Sequence, residues 1–138
     1  MADVTKNYPA LADMEAVALF QDLGYRFTNA GDGWAEITLN ATPKTHNLYG
    51  IVHGGVWLIL ADSTMGGALG TVVDDGEQVI TVQAEFRWLR ALNGNAIRAR
   101  AHVLRRGRSV NHCAVDLFDS DDELIGRGSG TYVVLPPP

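Results

Sequence analysis

Between Trp34 and Leu39 apolar and polar residues alternate, with Ala35, Ile37 and Leu39 on one side and Glu36 and Thr38 on the other. A period of two marks a strand with one buried face. Longer stretches with the same alternation follow at 79–90, 96–105, 109–118 and 124–135. Turn formers separate them, namely Asn93-Gly94-Asn95, Arg106-Gly107-Arg108 and Ser120-Asp121-Asp122. This spacing predicts that the strands join as consecutive antiparallel neighbours. Two segments follow another period. Over 9–23, Leu11, Met14, Ala18 and Leu19 fall near helical spacing and Gly24 supplies a stop, which predicts a short amphipathic helix. From Val56 to Leu69 the chain is apolar almost all round, interrupted only by Asp62, Ser63 and Thr64. Such a segment is a helix covered on nearly every side.

A buried helix needs cover, and a sheet with one apolar face needs filling. The order of elements therefore predicts an α+β domain in which about five or six antiparallel strands wrap a central helix at about 54–71. One domain spans 1–138, and Pro136-Pro137-Pro138 forms an extended tail.

Composition narrows the function. The 138 residues are 46% hydrophobic and 20% charged, which suits one core that folds without disulfide or metal. The single cysteine, Cys113, cannot form an internal bridge, and no Cys/His set has zinc-like spacing. A reducing, cytoplasmic setting and no metal are expected. The net charge of -5 argues against a nucleic-acid partner, because phosphate binding relies on concentrated Lys and Arg. No run approaches the roughly 18 apolar residues of a membrane span, and residues 1–8 lack the pattern of a secretion signal.

Asp62 is the sharpest feature. A carboxylate within Trp57-Leu58-Ile59-Leu60-Ala61 loses hydration and needs a partner or a chemical role. A structural acid bonded to a neighbouring strand is the competing reading. Gly54 and Gly55 open the same helix, where backbone N–H groups and the positive end of the helix dipole can meet a developing oxyanion. Glycines that merely allow a tight turn are the alternative there. Asn47, in the loop just before, offers an amide donor to the same oxygen, although Asn is also a turn former. His53 reads as a cap or structural hydrogen-bonder, with an acid/base role as the other option. Thr81, on the strand after the helix, offers a hydroxyl to a carboxylate or to an attacking water.

Helix geometry constrains how these parts cooperate. Gly54 and Asp62 are eight positions apart, and at 1.5 Å of rise per residue they lie about 12 Å apart along a helix. One carbon cannot touch both, since each group must come within about 3 Å of the reacting centre. If both act, they come from different subunits related by a twofold axis.

Weaker features complete the inventory. Arg106, Arg108 and Ser109 form a basic turn in an acidic chain, suited to the phosphates of a nucleotide-bearing substrate or simply to solvent. Gly126, Gly128 and Gly130 alternate on the last strand without a following helix, so bulges or close packing explain them better than a dinucleotide loop. Cys113 reads as a small buried hydrophobe rather than a nucleophile.

The block Asn47-Leu48-Tyr49-Gly50-Ile51-Val52-His53-Gly54-Gly55, followed by Leu60-Ala61-Asp62, resembles the signature of hotdog-fold thioesterases of the phenylacetate-degradation (PaaI-like) type. These belong to the 4-hydroxybenzoyl-CoA thioesterase superfamily. The likeness continues through Thr81-Val82-Gln83-Ala84-Glu85-Phe86 and Arg106-Gly107-Arg108-Ser109, and covers roughly 34–135. It implies a hotdog fold and hydrolysis of an acyl-CoA to free acid and coenzyme A, at sites shared between subunits of a homodimer or a homotetramer made of dimers. No cofactor is implied, since coenzyme A is part of the substrate. By matching position, Asp62 resembles the acid that attacks or activates water, and Gly54 and Asn47 resemble the polarisers of the thioester carbonyl. Thr81 resembles the residue that orients water, and His53 fills a position whose role there is more structural than chemical. Two other readings share the fold: an acyl-thioester hydratase or dehydratase, which pairs His with an acid in a different motif, and a non-catalytic acyl-CoA-binding module.

Overall fold

The computed structural model describes residues 3–138. Helices α1 (Pro9–Glu15) and α2 (Ala18–Leu23) lead into strands β1 (Tyr25–Gly31) and β2 (Trp34–Asn40), then helix α3 (Gly54–Gly70). Strands β3 (Gln78–Trp88), β4 (Ala96–Arg106), β5 (Val110–Phe118) and β6 (Leu124–Leu135) complete the chain. All pairings are antiparallel, in one 6-stranded sheet ordered β1-β2-β4-β5-β6-β3.

The sheet curves around α3 as the hydrophobic pattern requires. Leu60, Met65 and Leu69 of α3 are fully buried, together with Ile37, Leu39, Ile97, Val115, Leu117 and Ile125 from the sheet. Burying one such side chain stabilises the fold by about 1.5–3 kcal/mol, which is why this nearly uniform helix sits at the centre. The polar Thr64 is tolerated there because its hydroxyl donates to the Leu60 carbonyl at 2.6 Å.

Three expectations are corrected. The helix expected over 9–23 is two helices, broken at Ala16 and Val17, where Val17 is extended (φ -69, ψ 136). Leu11 and Phe20 are both buried, yet nine residues is two and a half turns and puts them on opposite faces of one continuous helix. The break turns Phe20 inward and leaves Leu19 exposed. Secondly, the sheet does not begin at Trp34. β1 precedes it, with Tyr25 and Phe27 buried and Arg26 and Thr28 exposed, and it returns into β2 through Gly33 at φ 84.

The third correction concerns neighbours. The β4–β5 and β5–β6 hairpins are as expected, but the Asn93-Gly94-Asn95 turn does not join adjacent strands: β3 pairs with β6, and β4 with β2. Steric fit explains the choice of β6. The Phe86 ring occupies the space that side chains at Gly126 and Gly128 would fill. The alternating glycines of β6 are therefore a packing surface. Of the two register irregularities in the ladders of β6, one leaves out Val82 on β3 and the other leaves out Ile125 on β6 itself, beside Gly126.

Candidate active site

Asp62 sits half-buried in the middle of α3, with β3 and β6 beside it. Its Oδ1 accepts the Thr81 hydroxyl at 2.8 Å and the Tyr132 hydroxyl at 2.9 Å. Tyr132 also reaches the Asp62 backbone carbonyl at 3.1 Å. Sequence reasoning missed Tyr132; its only sequence signal is a tyrosine at an inward position of the last strand. These groups line a cavity of about 290 Å³, walled by Ala10, Asp13 and Met14 of α1 and by Gly66 and Gly70 of α3. Ala10 packs on Gly70 and Leu11 on Gly67, so the glycine face of α3 seats α1 there.

At the other end of α3, His53 caps the helix: its Nδ1 accepts the Gly55 N–H at 2.8 Å. That leaves the ring proton on Nε2. The cap consumes the Gly55 donor, whereas the Gly54 N–H has no hydrogen-bond partner among the described residues. Asn47 holds its own loop, its Oδ1 accepting from Tyr49 N–H at 2.9 Å and Ile51 N–H at 3.4 Å. Its Nδ2 donors stay free of that turn. Gly54 and Asn47 line a second cavity, about 550 Å³, with Trp57 and Trp88. Phe86 stacks edge-on against both tryptophans, at centroid distances of 6.5 and 4.9 Å, and fixes that wall.

The two cavities share no lining residue. Thr81 is thus brought to Asp62, and Asn47 to Gly54, but the two pairs are not brought together within one chain. Arg106, Arg108 and Ser109 are exposed and line neither cavity. Arg106 Nη1 donates to Asn111 Oδ1 at 2.9 Å, which holds the hairpin turn. Cys113 is fully buried, and burial pushes its thiol up to about 12, so it is no nucleophile.

The thioesterase superfamily profile matches residues 49–125, a span that includes Gly54, Asp62 and Thr81. The chain belongs to the thioesterase superfamily. A curated relative, the proofreading thioesterase EntH of Cronobacter turicensis, is 28% identical over 120 residues, covering 84% of this chain and 87% of that protein. The 1,4-dihydroxy-2-naphthoyl-CoA hydrolase of Escherichia coli is 27% identical over 114 residues, covering 82% and 83%. Among solved structures, the E. coli PaaI protein superposes with a TM-score of 0.84 at 19% identity, over 99% of this chain and 98% of that one. At that identity the likeness concerns the fold, which is the hotdog fold, with α3 as its central helix. As a member of that superfamily the chain is a thioester hydrolase. Among its described residues, no helix is long and apolar enough to cross a membrane.

Proposed function

We propose that the thioesterase hydrolyses a small, medium-chain or aromatic acyl-CoA at two equivalent sites per dimer. Each site takes Asp62 from one subunit and the Gly54 N–H and Asn47 amide from the other. The observation that carries this reading is the separation of the two groups into different cavities of one chain.

The layout of β3 supports the pairing. This strand is a sheet edge, with Ile80, Val82 and Trp88 exposed along it. An open apolar edge is a template for another strand. Thr81, near its start, bonds to Asp62, and Trp88, at its end, stands beside Gly54. Antiparallel pairing of two β3 copies about the strand's middle sets the Asp62 end of one subunit against the Gly54 end of the other. The exposed Leu48, Tyr49 and Ile51 of the loop before α3 extend the apolar surface available for burial.

In this site the carbonyl oxygen takes hydrogen bonds from Gly54 N–H and Asn47 Nδ2, donors worth a few kcal/mol as charge develops on that oxygen. The free Asp62 oxygen accepts a proton from water as the water adds to the carbonyl carbon. Collapse of the adduct breaks the C–S bond, the proton held by Asp62 passes to the departing sulfur, and coenzyme A leaves as the thiol with the acid as the other product. Direct attack by Asp62 through a mixed anhydride is the second route open to the same carboxylate. Neither route calls on a metal or redox cofactor. Arg106, Arg108 and Ser109 are the candidates for the coenzyme's phosphates. The E. coli relative named for an aromatic acyl-CoA supports the aromatic option.

Complementation between variants tests the shared site. Asp62→Asn removes the carboxylate. Gly54→Pro removes only the N–H, since proline is accepted at the first position of a helix. Each variant alone loses activity by orders of magnitude in a thiol-release assay over short, medium, long and aromatic acyl-CoAs. Unfolded and refolded together in equal amounts, they recover about a quarter of wild-type activity, because half the dimers are mixed and each carries one intact site. A mixture as inactive as its parents refutes the shared site. Full activity of Asp62→Asn refutes the role of the carboxylate, and double-bond formation without thiol release favours a hydratase.

A further inference from the structure

Tyr132 is held far more firmly than packing alone requires. The residue is 1% exposed, and its ring lies along β6 over Gly130, where an added Cβ would stand 2.9 Å from the ring and 3.1 Å from the Met65 methyl. Its backbone is fixed as well. Asn111, opposite it in the β5–β6 ladder and fully buried, donates to the Tyr132 carbonyl at 3.3 Å. The Asn111 oxygen in turn accepts the Gly107 N–H at 3.1 Å and Arg106 Nη1 at 2.9 Å. A glycine cradle and a buried amide thus set both the ring and the strand beneath it, and they aim one hydroxyl at Asp62.

That hydroxyl is a donor under all working conditions. Burial, then the neighbouring Asp62 charge and the hydrogen bond to it, push the phenol's pKa far above its ordinary value, with Cys113 adding in the same direction. The Tyr132 and Thr81 hydroxyls meet on the same oxygen, Oδ1, while Oδ2 receives no hydrogen bond among the described residues. Two donors on one oxygen restrict rotation of the carboxylate.

We propose that Tyr132 is a positioning residue for catalysis: with Thr81 it clamps Oδ1 of Asp62, so that Oδ2 alone is presented to water or to the thioester carbon. This rests on the reading of Asp62 as the catalytic carboxylate. Gly130 and Asn111 serve the same end indirectly, by allowing and fixing the place of the phenol.

Tyr132→Phe keeps the ring and deletes only the donor. The expected result is a kcat about ten- to a hundredfold lower with KM changed less than about twofold, since the lost group orients the reacting atom rather than binding substrate. Gly130→Ala, which keeps the hydroxyl but displaces the ring, lowers kcat in the same direction and serves if the first variant folds poorly. A readout independent of turnover is the orientation of the Asp62 carboxylate in crystal structures of the wild type and of folded Tyr132→Phe. A carboxylate that rotates or takes a second orientation in folded Tyr132→Phe supports the clamp. A carboxylate held as in the wild type, or wild-type kcat, overturns it. Absence of thiol release by the wild type would sink the acyl-CoA reading instead, and the orientation of the carboxylate would still decide on the clamp.

Discussion

Thr81 reaches Asp62 across 2.8 Å because the β3–β6 ladder skips a residue between Thr81 and Gln83. Thr81 lies opposite Tyr132, whereas Ala84, Phe86 and Trp88 lie opposite Gly130, Gly128 and Gly126. Strict alternation would send position 81 to the face opposite 84, 86 and 88. The extra residue, Val82, cancels that mismatch, so the hydroxyl that touches the carboxylate and the tryptophan beside Gly54 share one face of one strand. A β-bulge beside an active site is a recurrent way to aim a side chain.

If the Thr81 hydroxyl supports the charged carboxylate, Thr81→Val lowers kcat by about tenfold, the scale of one hydrogen bond to a charged acceptor in a partly exposed setting. Thr81→Ser recovers most of the loss. Steady-state kinetics on the folded variants, with KM as the internal control, checks both.

The cap at the start of α3 is a matter of stability. His53→Ala leaves the Gly55 N–H without its acceptor and costs about 1 kcal/mol, a shift of roughly 3–4 °C in Tm for a chain of this size. His53→Asn retains a capping oxygen and recovers much of the shift. Thermal unfolding followed by circular dichroism measures it, and an unchanged Tm in His53→Ala would refute the cap's contribution.

Glycines in the two faces of the core separate by what surrounds them. A Cβ at Gly128 meets the backbone carbonyl of Glu85 at 2.5 Å, an atom fixed by the β3–β6 ladder. Gly128→Ala therefore lowers stability by about 1–3 kcal/mol. At Gly66, inside α3, a Cβ meets nothing within 4 Å, so Gly66→Ala raises stability by about 0.5–1 kcal/mol through helix propensity. Denaturant midpoints of the two variants should move in opposite directions.

Much of the architecture was legible because burial writes itself into local periodicity. The all-round apolar run at 56–69 lies inside the central helix observed at Gly54–Gly70, and alternation located the strands from Trp34 onward. Asp62 stood out because a charge in an apolar helix is rare enough to need a reason. The break between α1 and α2 was not legible, since it depends on which side of the fold Phe20 must face. β1 was readable in Tyr25 and Phe27, but its first half is short and its second half, Thr28 to Gly31, is half-exposed or exposed.

Sequence by itself determined the elements, the polar groups carried on them and, through helix rise, the fact that Gly54 and Asp62 cannot serve one carbon from one chain. All of these follow from distances measured along the backbone. Only the tertiary structure decided that β3 lies beside β6, that Val82 is extruded, and that Tyr132 meets Asp62 from 70 residues away. Those contacts arise from shape: a phenylalanine ring needs two glycines on the neighbouring strand and a phenol needs a third, and no local period records which distant strand supplies them.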